Sequence, residues 1–268
     1  MSTDFRPAAV AGMFYPDSAE RLSRDLAAML SSAASAPAAC PKALIVPHAG
    51  YVYSGPIAAS AFALLTRHQD AIHRVALLGP THRVAVRGLA LPDCDAFATP
   101  LGTVPVDHAA VEAIRDLPQV VVSASAHRLE HALEVEIPFL QTVLGEFSLL
   151  PLAVGEASAH AVAEVLDRLW GGPETLLVVS SDLSHYLTYE DARRVDAGTA
   201  RHICELDAAI GHDQACGAAP VNGLLLAART RGLRVRQLDL RNSGDTAGDR
   251  QRVVGYAAFA FFDAQEGA

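Results

Sequence analysis

Two histidines stand just beyond short apolar runs: 42-KALIVP-47 leads into His48, and 74-RVALLGP-80 leads to His82. A third run, 175-TLLVVSS-181, is followed by Asp182 and His185. Neutral imidazoles ligate divalent metals and carry protons near neutral pH. Taken singly, each histidine reads about as well as a hydrogen-bonded loop residue. The same pattern at three run ends argues against coincidence.

Two further places carry reactive groups. In 130-EHALEVEIPFL-140, His131 and Glu134 are three apart and share a face if the segment is helical. The bland reading is the start of an amphipathic helix with Glu134 in water. Cys216, in 215-ACGAAP-220, precedes a helix opened by Pro220. Helix N-termini favour a thiolate, so a thiol pKa below that of free cysteine is expected there. On its own Cys216 reads as a small packing residue. Together, His48, His82 and Cys216 form a sensible three-donor set for a divalent ion, leaving room for water or substrate. A blue-copper site ranks low, because Met1, Met13 and Met29 all lie outside these motifs.

These residues need elements to position them. Runs apolar on both faces recur at 42–47, 74–80, 119–124, 147–154, 175–181 and 253–262, which fits strands buried on both sides. Helical patterns fall between them at 19–30, 56–68, 108–117, 158–170 and 220–232, the last with Pro in its first turn and Gly at its end. The stretch 88–106 reads as a β-meander or long hairpin, and 31–39 as a connection. The alternation predicts a single α/β domain over 1–268, a three-layer α/β/α sandwich around a mostly parallel or mixed central sheet. If the three strands are parallel neighbours, His48, His82, Asp182 and His185 meet at their carboxyl ends, where open α/β sheets bind ligands.

With 21 Lys and Arg against 30 Asp and Glu, the formal charge of −9 argues against a nucleic-acid or anionic-membrane partner. No run is long enough to span a bilayer, and the first residues lack the features of a signal peptide. Four cysteines without a CxxC pair suit a reducing compartment, so a cytoplasmic protein is expected.

The motifs PHAGYVYSG (47–55), LLGPTHRV (77–84), EHALEVEIPFL (130–140), SSDLSHY (180–186) and CGAAP (216–220) resemble those of the MEMO family. So do RPAAVAGMFYP (6–16) and LRNSGDTAGD (240–249), and the likeness runs in order along nearly the whole chain. It is strongest to the bacterial members called AmmeMemoRadiSam system protein B. The resemblance implies a fold like that of class III extradiol dioxygenases, which hold non-haem iron(II) with two His and a carboxylate. Carried over by motif, it implies His48, His82 and Cys216 as metal ligands, with the cysteine at the carboxylate's position. His185 falls where those enzymes have their acid/base, and His131, Glu134 and Asp182 match polar pocket residues. Two departures leave the substrate pocket open: Ala132 stands where members often have Ser, and Arg83 where some have a second His.

Four functions compete. The first is an iron(II)-dependent oxidoreductase acting on a small aromatic or chelating ligand, though a thiolate beside iron and dioxygen is readily oxidised. The second is non-catalytic holding of iron or copper, which soft thiolate also suits. The third is an adaptor working with AMMECR-domain and radical SAM proteins, as the resemblance implies. The fourth is a zinc hydrolase with Glu134 or Asp182 as base. Iron(II) ranks first as cofactor, with copper and zinc as alternatives.

Overall fold

Strands with no polar face to turn to water lie at the centre of a nine-stranded sheet. A computed structural model describes residues 4–33 and 39–264, so the connection expected at 31–39 falls partly outside the described residues. The strands are β1 (Phe5–Arg6), β2 (Ala43–Val46), β3 (Arg74–Pro80), β4 (Leu89–Leu91), β5 (Ala96–Thr99), β6 (Gly102–Pro105), β7 (Val120–Val122), β8 (Ser148–Val154), β9 (Thr175–Ser180), β10 (His185–Leu187), β11 (Arg234–Asn242) and β12 (Val253–Phe262). The large sheet runs β10-β12-β2-β9-β3-β8-β4-β7, with β11 also on β12. Its central strands β2, β9, β3 and β8 are parallel. β12 and β4 flank them antiparallel, making the sheet mixed. A small second sheet joins β1, β5 and β6.

The helices are α1 (Ala19–Ser32), α2 (Tyr51–Phe62), α3 (His108–Ile114), α4 (Ala124–Arg128), α5 (His131–Glu134), α6 (Ile137–Val143), α7 (Ala159–Leu169), α8 (Tyr189–Cys204) and α9 (Ala218–Thr230). α3, α7 and α9 pack together as one outer layer, and α1, α2 and α6 as the other. Caps fix several starts: Ser18, Asp107 and Ser158 each accept a backbone N–H of the first turn. Among the described residues, no helix is long and apolar enough to cross a membrane.

The structure departs from the sequence expectation in five places. The run at 119–124 is not buried on both sides, since β7 is a sheet edge that leaves Val121 and Val122 exposed. Residues 88–106 do not form a meander, since β4 joins the large sheet while β5 and β6 pair as a hairpin in the small one. The segment 130–140 is two short helices, α5 and α6, rather than one. α8 was not expected: its buried stripe of Ala192, Asp196, Thr199, Ala200 and Ile203 is weakly apolar. β11 was also missed, because charged residues alternate through RVRQLDLRN and the strand pairs only with β12.

Candidate metal centre

The register of the parallel core builds the rim. Val46 pairs with Ser180, so the residues two further on, His48 and Asp182, come face to face. The His48 main-chain N–H donates to Asp182 Oδ1 at 2.8 Å. On the other side of β9, β3 runs parallel and ends two residues before His82. His48 is fully buried, whereas His82 is partly open. Their rings sit edge to face with centroids 5.2 Å apart.

The third imidazole arrives from α5. Gly79 on β3 lets this helix press onto the strand ends: a Cβ there would meet Leu133 Cδ2 at 3.0 Å and Ala132 Cβ at 3.3 Å. His131 is thereby brought within 4.5 Å of the His82 ring and 5.3 Å of the His48 ring, centroid to centroid. One nitrogen from each of His48, His82 and His131 lies within 4.8 Å of the others. Among the described residues this is the cluster of metal-ligating side chains with that spacing.

The outer nitrogens are all engaged. Glu130, the N-cap of α5, accepts from the Ala132 N–H at 3.0 Å. The same Oε1 lies 2.8 Å from His82 Nδ1 and 3.2 Å from His131 Nδ1, while Oε2 accepts the His82 main-chain N–H at 2.6 Å. Burial opposes ionisation of Glu130, but the hydrogen bonds from His131, His82 and the two backbone N–H groups outweigh it. They hold the carboxyl well below its ordinary range. A carboxylate only accepts, so both Nδ1 atoms carry their protons and Nε2 is the nitrogen left on each ring for a ligand. His48 Nδ1 is tied 2.8 Å from Ser180 Oγ. Burial, and then the neighbouring His131 and His82, push the His48 pKa down, which keeps the ring neutral.

Cys216 stands beside this trio. Gly217 caps α9 and has no room for a side chain, since a Cβ would lie 2.7 Å from Ser181 Cβ. That close approach seats Cys216 with its main-chain N–H on the Asp182 carbonyl and Sγ 3.3 Å from His48 Nε2. The expected lowering of its pKa does not occur. Burial pushes the thiol up to about 12, and the charge of Asp182 adds to this against weak hydrogen bonds. The helix terminus is outweighed by lost solvation. A cavity of about 610 Å³ opens next to Cys216, lined by residues that include Thr81, Arg87, Glu156 and His212.

The family model described as Memo-like protein matches residues 6–260. The chain belongs to the Memo family. A MEMO1 family protein of Archaeoglobus fulgidus is 33% identical, the match covering 94% of this chain and 97% of that one. A MEMO1 family protein of Aquifex aeolicus is 34% identical, with 96% and 98% covered. One from Aeropyrum pernix is 35% identical, with 94% and 98% covered. Among solved structures, the uncharacterized protein JW3007 of Escherichia coli K12 shares the fold, with a TM-score of 0.55 at 14% identity over 82% of this chain and 100% of that one.

The remaining residues singled out in the Memo-family motifs divide into two groups. Asp182 is buried and spends Oδ1 on the main chain of His48; burial raises its pKa. His185 donates Nδ1–H to the Leu183 carbonyl at 2.8 Å, which fixes its ring. The adjacent Tyr186 holds the left-handed conformation at φ 60°, uncommon for a bulky residue, and leaves its ring exposed. Glu134 lies elsewhere. Its carboxylate is ion-paired with Arg6 and accepts from Ala9 N at 2.8 Å, Val10 N at 3.0 Å and Tyr15 Oη at 2.6 Å. No acceptor site is left for a pocket ligand, so the expected pocket role for Glu134 gives way to one of pinning the N-terminal segment. Three residues of the centre escaped the sequence reading: Glu130, Ser180 and Glu136. The one signal available was Glu130 standing as a possible cap directly before His131.

Proposed function

We propose that this protein binds one transition-metal ion through His48, His82 and His131, with Cys216, its Sγ 3.3 Å from His48 Nε2, as a further donor beside the trio. The observation that carries the reading is the spacing of the three rings: each has Nδ1 beside an oxygen, and one nitrogen of each lies within 4.8 Å of the others. Three imidazole donors suit iron, zinc and copper alike. A dication would deprotonate the Cys216 thiol and gain a compensating negative charge. Resemblance to non-haem iron enzymes puts iron(II) first.

When bound, such an ion supplies Lewis acidity, redox chemistry and open coordination positions. The chain supplies the rest. Glu130 orients His82 and His131, and Asp182 fixes the main chain at His48. His185 is the proton carrier, with Leu183 holding Nδ1 and Nε2 as the nitrogen that exchanges the proton. The cavity beside Cys216 admits a small chelating or aromatic molecule. A purely metal-holding role is the second reading, favoured by the thiol 3.3 Å from His48 Nε2, since a sulfur donor is prone to oxidation during redox turnover.

Anaerobic titration of metal-free protein with iron(II) tests the binding. One equivalent should bind to the wild type and none tightly to His48→Ala or His82→Ala. Wild-type affinity in both variants would place the site elsewhere. Turnover of catechol-like compounds by the iron-loaded wild type, lost in His185→Ala, would select the oxidoreductase reading; tight binding without turnover would select metal holding.

A further inference from the structure

Behind His48 one hydroxyl makes three short contacts. Ser180 Oγ lies 2.8 Å from His48 Nδ1, 2.9 Å from Glu136 Oε1 and 2.6 Å from the Ala132 carbonyl oxygen. His48, Ser180 and Glu136 are all fully buried. A hydroxyl has one proton and two lone pairs. The Ala132 carbonyl can only accept, and as the shortest contact it takes the serine proton. Both lone pairs of Oγ must then be met by donors: the Nδ1–H of His48 and a carboxylic O–H of Glu136. An ionised Glu136 would compete with Ala132 for the single serine proton and leave one acceptor unmet in a fully buried site, at a high cost. Burial pushes the Glu136 carboxyl well above its ordinary range, against the Ser180 hydrogen bond and with help from the charge of Asp182. Geometry and solvation agree on a neutral acid.

We propose that Ser180 and an uncharged Glu136 are positioning residues that lock His48 in the Nδ1–H tautomer, leaving Nε2 as a standing lone-pair donor. This rests on the metal-binding reading for its purpose but not for its test. The same proton count fixes the contact on the far side of the ring. With Nε2 bare, the neutral Cys216 thiol is the donor across 3.3 Å, and a metal ion would replace that thiol proton on Nε2.

The test begins with metal-free protein. Nitrogen-15 NMR of the imidazoles should show His48 protonated at Nδ1 and bare at Nε2, in the wild type and in Glu136→Gln. The glutamine amide donates to Ser180 as the neutral acid does. Ser180→Ala should lose the preference and bind iron(II) or zinc about 10- to 100-fold more weakly. Infrared spectra should show a neutral carboxyl stretch that disappears in Glu136→Gln. If Ser180→Ala fails to fold, the wild-type tautomer and the infrared band still decide. An Nε2–H tautomer for wild-type His48, or no neutral carboxyl band, overturns the proposal. The expected tautomer in a protein that takes no metal would sink the metal reading and leave the lock standing.

Discussion

Glu130 caps and Glu134 ends the same four-residue helix, both buried, and they do different work. Glu134 is met by Arg6, two backbone N–H groups and the Tyr15 hydroxyl. The guanidinium and the amides have no second reactive end, so that carboxylate serves only to fasten the N-terminal segment to α5. Glu130 is met by His82 and His131, and an imidazole is two-ended. Fixing Nδ1 fixes what Nε2 can do. What a buried carboxylate is for is therefore read from its partners' free ends rather than from its own burial. The histidines divide the same way. His127 is buried on the Glu134 side, its Nε2 2.8 Å from the Ala90 carbonyl and its Nδ1 without a partner.

The largest effect should come from Glu134→Ala. It leaves the Arg6 guanidinium buried and unpaired, which costs about 3–5 kcal/mol in comparable sites. Urea unfolding should show that loss, while any variant that remains folded keeps its metal affinity. A selective loss of metal without loss of stability would erase the distinction between the two glutamates. His127 gives a second handle on the structural side. Burial pushes its pKa down from 6.5 to about 4, so the folded state binds fewer protons than the unfolded chain between those values. Its stability term is intact above pH 6.5 and is lost as pH falls toward 4, by roughly 3 kcal/mol for one group. His127→Gln should flatten the acid limb of a stability profile; an unchanged slope would show that other groups govern it. Glu130→Gln should be mildest on stability and specific to the site. Its amide presents one acceptor oxygen where the carboxylate offers two, and metal affinity should drop about 10- to 100-fold. Unchanged affinity would mean that the imidazoles need no such orientation.

The sheet core and its rim were legible because β2, β3 and β9 are apolar on both faces and each ends just before a polar residue. His48, His82 and Asp182 followed directly. Glu134 was misread because helical spacing from His131 is a local rule, whereas its partners Arg6, Ala9, Val10 and Tyr15 lie more than a hundred residues away in sequence. Helical spacing likewise paired His131 with Glu134, when the carboxylate that holds its ring belongs to the cap residue beside it. The Cys216 pKa was misjudged because a helix terminus is visible in a sequence and desolvation is not. Ser180 reads as one of two serines closing an apolar run, and its role depends on Ala132 and Glu136 folding over it from α5 and the turn that follows.

The proposal that Cys216 joins the three imidazoles on one ion is tested most directly by cobalt(II) titration of the metal-free protein under anaerobic conditions, followed by absorption. One equivalent should bind, with a thiolate-to-metal charge-transfer band. Cys216→Ser should lose the band yet still bind more weakly through the three imidazoles, and His48→Ala should show neither band nor stoichiometric binding. Stoichiometric binding that survives His48→Ala, or a wild-type complex without the thiolate band, would contradict the account.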